Sequence, residues 1–132
     1  MKATPRVPFG FVFEYLYPKE PRVKPMFGCH ALYLGKRLVL ILRKRDAHPE
    51  ANGVWIATSR KHHESLRKIF PSMRSIPMLG KDPTNWQILP ERSEDFESSV
   101  ITACELIVKG DPRIGTIPGS KRVRSSPTSF VF

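Results

Sequence analysis

Hydrophobic and polar positions along this chain follow two different periods. Phe9, Val12, Phe13, Leu16 and Tyr17 recur at helical spacing, with Pro8 before them and Pro18 after. That pattern predicts a short N-terminal helix. Residues 18–25 (PKEPRVKP) read as a proline-punctuated connector. Two apolar arms, 26–34 and 37–43, then flank Gly35-Lys36. Glycine in the first of two loop positions suits a type II′ turn, so the arms form a β-hairpin. This register pairs Tyr33 with Leu38, Ala31 with Leu40 and Cys29 with Leu42. The opposite face then carries His30, Leu32 and Leu34 beside Arg37, Val39 and Ile41. Both faces are mostly apolar, so the hairpin needs cover on both sides.

The later sequence offers that cover. In "SRKHHESLRKIFP" Ser59 is a suitable N-cap, Leu66, Ile69 and Phe70 form an apolar stripe, and Pro71 follows. In "SEDFESSVITACELIVKG" Ser93 is the expected cap, with Glu94, Asp95 and Glu97 at the positive end of the dipole. Lys109, Gly110 and Pro112 mark its end, and Phe96, Val100, Ala103, Cys104 and Ile107 its buried stripe. "GVWIATS" and "NWQIL" read as further strands. The expected fold class is α+β: a single antiparallel-rich sheet with helices packed on it, occupying residues 1–110. Ala31, Tyr33, Leu38, Leu40, Phe96, Val100 and Cys104 are expected together in one core. Residues 111–132 lack periodicity and read as a Pro/Gly/basic C-terminal tail. The N-terminal helix or a second copy of the chain is expected to close the rest of the sheet, which leaves monomer and homodimer both open.

Charge changes the picture. The chain has 132 residues, enough for one domain, with 22 Lys and Arg against 12 Asp and Glu, a net charge of +10. Six of the acids and only two basic residues lie between 91 and 111, so the remainder carries 20 basic and 6 acidic residues, or +14. Such asymmetry points to a polyanion, and nucleic acid is the expected partner. Arg60, Lys61, Arg67 and Lys68 fall opposite the apolar stripe of their helix, as a helix against phosphates requires. The same distribution also describes an ordinary solvated helix, in which Glu64 supports Lys68. Arg43, Lys44 and Arg45 leave the hairpin where a wing would reach a backbone. Lys121, Arg122 and Arg124 form a third cluster. Lysine and arginine contact backbone and carry no base code by themselves, so low sequence specificity is expected.

Catalytic chemistry finds little support. The sequence contains no Cys-x-x-Cys, His-Glu-x-x-His, P-loop or Gly-x-Ser-x-Gly. His62 and His63 are adjacent on a helix and point in different directions, and Cys29 and His30 are adjacent on a strand and face opposite sides. Cys29 and Cys104 are expected as unbonded core residues. No enzyme activity, cofactor or metal is expected. The start of the chain lacks a signal-peptide pattern, and the longest strongly apolar run, 38–42, is too short to span a bilayer. The expected location is cytoplasmic, without membrane contact.

Several stretches resemble known families. "FVFEYL", "VKPMFG" and "ALYLGKRLVLIL" resemble the start of the TfoX/Sxy N-terminal domain. "SLRKIFPSMRSIPMLGKDPTNWQIL" followed by "ITACELIV" is similar to the MmcQ/YjbR family. Cys29 after Met-Phe-Gly, Cys104-Glu105 in the last helix, and the insertion "RKRDAHPEANG" depart from those patterns. The resemblance implies a YjbR/TfoX N-terminal-like fold and a DNA-binding or regulatory role without a reaction. It also implies an alternative, a TfoX-like regulatory adaptor that binds a protein partner, for which the apolar terminus "SFVF" offers a surface.

Overall fold

A computed structural model describes residues 7–76 and 85–117. Helix α1 spans Phe11–Leu16, and four strands follow: β1 (Arg22–Met26), β2 (Cys29–Leu34), β3 (Arg37–Arg43) and β4 (Gly53–Ile56). After a 3-10 turn at Arg60–His62 come α2 (His63–Ile69), β5 (Gln87–Pro90) and α3 (Phe96–Val108). The five strands form one antiparallel sheet in the order β1-β2-β3-β4-β5. The α+β class expected from the sequence is therefore what the chain adopts. Among the described residues, no helix is long and apolar enough to cross a membrane.

The stretch predicted as a connector contributes a strand. Arg22 pairs with Tyr33 and Met26 with Cys29, so β1 forms a second hairpin with β2 and is an edge of the sheet. Pro25 suits that place, since an edge strand has one row of backbone groups without ladder partners.

The hairpin register holds only at its turn. Gly35 has φ +62, as a II′ turn requires at its first central position. Tyr33 pairs with Leu38 as expected, but the ladder shifts between Leu32 and Tyr33. Beyond the shift Leu32 pairs with Leu40, Ala31 with Ile41 and His30 with Leu42. Val39 is the extra residue of a bulge, and each bulge residue reverses the side on which later residues fall. The single core expected from the sequence is thus two. Leu40 and Leu42 join Leu32, Val54 and Ile56 beneath the helices, against Leu16, Phe70, Val100 and Cys104. Ala31, Tyr33 and Leu38 lie on the other face with Ile41, Trp55, Ile76 and Ile88. Phe96 is half-buried and packs on the helix-side core, edge-on to Phe9 at 5.2 Å.

Helix α3 starts two to three residues later than its predicted cap, with Asp95 at the N-cap position. Its end follows the sequence: Gly110 has φ +81, its N–H donates to Ile107 O, and Asp111 N–H donates to Leu106 O. This pair of bonds is the Schellman arrangement that glycine permits. The chain then returns to the sheet. Leu38 and Thr116 exchange backbone hydrogen bonds of 2.7 and 3.0 Å, in the lane that β4 vacates after Ile56. Arg37 Nη2 donates to Ile114 O and Gly115 O, Thr58 Oγ1 donates to Arg113 O, and Ile114 is buried in the helix-side core. Residues 111–117, assigned by composition to the tail, are therefore built into the domain.

Candidate nucleic-acid interface

The three predicted basic clusters meet different fates. Arg43 ends β3, and its side chain is only 3% exposed. Its guanidinium donates to His48 O at 2.9 Å, Ala47 O at 2.7 Å and Asn52 Oδ1 at 2.8 Å. A buried charge must find such partners, and here they shape the basic insertion into a defined loop. Arg43 is a structural residue, which corrects its assignment to a binding surface. Asn52 completes the loop by accepting Arg45 N–H and donating to Arg45 O. Lys44 is exposed but ion-paired with Glu91. Arg45 is exposed and donates from Nη1 to Gly28 O at 3.1 Å.

On α2 and the turn before it, Arg60, Lys61, Arg67 and Lys68 are all exposed, as predicted. Ser59 makes no side-chain cap bond, and the first turn is 3-10. Arg67 leans inward, with Nη2 donating to Oε1 of the fully buried Gln87. Arg60, Lys61 and Lys68 have no carboxylate partner among the described residues. The 43–45 and 60–68 clusters stand at opposite ends of the sheet. Arg43 pairs beside Gly53, where β4 begins, whereas Arg60 follows the end of β4 at Ile56. Lys121, Arg122 and Arg124 lie outside the described residues.

A further group of cations was hidden in the supposed connector. Arg22 and Lys24 are exposed on the same face of β1, about 7 Å apart along the strand. Both lean over the ring of Tyr33, with the Arg22 guanidinium carbon 5.2 Å and Lys24 Nζ 5.4 Å from its centroid. An aromatic face attracts cations and holds their long stems in place. Arg22, Tyr33, Gly35, Lys36 and Ile117 line an open groove there. The readable signal was the alternation in Arg22-Val23-Lys24, which is strand-like; Pro21 and Pro25 obscured it.

Two histidines and both thiols are wholly or partly enclosed by the fold. His63 is buried and its Nε2 lies 3.2 Å from Asn85 O; burial, opposed by that bond, holds its pKa below the usual value. Nδ1 of the half-buried His30 has no hydrogen-bond partner among the described residues. Both thiols are free and buried, as expected, and burial pushes Cys104 up to about 12. Among the described residues no cluster of His, Cys, Asp and Glu could hold a metal. Comparison with family models, curated proteins and solved structures found no match for this chain.

Proposed function

We propose that this protein binds the nucleic-acid backbone, DNA first among its targets, with low sequence specificity and in a regulatory rather than catalytic role. The observation that carries the proposal is a surplus of exposed cations without carboxylate partners among the described residues, Arg22, Lys24, Lys36, Arg60, Lys61 and Lys68 among them. Phosphates supply the missing countercharge, and lysine and arginine fix a backbone without reading bases. The order of a first helix, a Met-Phe-Gly segment and a hairpin supports a YjbR/TfoX N-terminal-like version of the fold. The test is fluorescence anisotropy with labelled oligonucleotides at low salt. Simultaneous Arg60→Ala, Lys61→Ala and Lys68→Ala is expected to weaken binding to all sequences alike while the thermal melt stays close to the parent's. Arg67 is excluded from that variant because its loss removes a donor from Oε1 of the buried Gln87, whose Nε2 donates to Ser75 Oγ and Trp86 O.

A second reading, a regulatory adaptor for a protein partner, is favoured by Tyr15 and Tyr17, which α1 leaves 42% and 73% exposed. Exposed aromatics are common anchors in protein interfaces. Capture from lysate that survives nuclease treatment and is lost on Tyr17→Ala supports it.

A further inference from the structure

Resting on the nucleic-acid reading, we infer that the β1 edge and its hairpin tip form a site for a single strand, with phosphates on Arg22, Lys24 and Lys36 and an unpaired base on Phe27. Two like charges share the Tyr33 ring, and Lys36 lines the same groove. None of the three is ion-paired among the described residues, although like charges gathered this closely repel each other until an anion joins them. Glu20 before the strand and Asp46 beyond Arg45 are the nearest acids in sequence, and neither pairs with these cations. The cations are also pre-positioned by the ring, so little ordering is left for the moment of binding.

The tip of this hairpin supplies the second observation. Phe27 and Gly28 are the two central residues between paired Met26 and Cys29, with φ +52 and +76. Positive φ at both positions defines a type I′ turn, where asparagine and glycine are favoured and a bulky side chain is strained. The residue chosen is nevertheless a phenylalanine that is 67% exposed. Strain of this kind collects where a side chain serves something other than stability. Arg45 packs against Gly28 so closely that a Cβ there would overlap its guanidinium, which places a further exposed cation at the tip. The row from Arg22 to the tip covers about 13 Å of strand. An aromatic ring at the end of a cationic row has a use for a single strand, whose bases present free faces, and none for a duplex, whose bases are stacked.

The deciding experiment compares a labelled oligothymidylate with the corresponding duplex, by anisotropy at low salt, for the parent and three variants. The parent is expected to bind the single strand more tightly. Simultaneous Arg22→Ala, Lys24→Ala and Lys36→Ala should lower that affinity at least tenfold, more than the α2 triple variant does. Phe27→Asn introduces the pair that a type I′ turn favours, so it should raise the melting midpoint by a few degrees and yet weaken single-strand binding about tenfold. A merely structural phenylalanine cannot give that opposition. Preference for duplex, or parental single-strand affinity in both edge variants, overturns the single-strand site and leaves the general reading standing. Absence of binding to either probe overturns both.

Discussion

Arg43 shows how position decides the use of a charge. Three acceptors converge on one guanidinium that is nearly excluded from water. Arg43→Ala leaves Asn52 Oδ1 with one donor fewer and two loop carbonyls without this donor, and should cost about 2–4 kcal/mol in urea denaturation. Arg43→Lys should recover little, because an ammonium lacks the planar fork that reaches all three. Lys44, by contrast, forms an exposed ion pair, and its removal should change stability by less than about 1 kcal/mol. Three adjacent basic residues thus look alike in sequence and differ in burial, which depends on Asn52 closing the loop from nine residues away. In the apolar core, Leu40→Ala should cost about 2–5 kcal/mol by thermal melt, since Leu40 is fully buried beneath the helices.

Among the elements, the returning segment 111–117 depends on a local clasp. Arg113 donates to both carboxylate oxygens of Asp111, and these hydrogen bonds hold the Asp111 carboxyl down at about 2. Its folded pKa lies below the ordinary 3.8, so the stabilisation is complete above about pH 4 and disappears as the pH falls toward 2. Asp111→Asn should therefore lower the melting midpoint at pH 7 and make much less difference near pH 2, where the parent is losing the same interaction; an equal deficit at both pH values would contradict the clasp. Much of this architecture was legible: periodicity located α1, α2 and α3, and Gly35 located the turn of the β2–β3 hairpin. The register beyond it was not, because a turn fixes only the first pairs and Val39 looks like any other strand residue. The lane taken by Thr116 was equally hidden, since it exists only because β4 stops at Ile56. Of the site, the exposed face of α2 could be read from spacing, whereas the β1 edge required knowing that a stretch with prolines still pairs.

At the scale of the molecule the described charges are separated only in part. The acidic helix α3 packs on one side of the sheet, with Glu97 and Glu105 exposed, while Arg22 and Lys24 flank Tyr33 on the other. The α2 cations lie on the helix side, so one strand cannot meet every cation from a single direction. A field of this kind draws a polyanion toward the basic regions and is weakened by salt within about a Debye length. The central claim, that unpaired cations bind phosphates, is tested most directly by the salt dependence of affinity for a labelled oligonucleotide. With about three phosphate contacts on one face, affinity should fall roughly twentyfold to fortyfold between about 50 and 200 mM salt. No binding at tens of micromolar protein in low salt, or binding that does not respond to salt, would contradict the account.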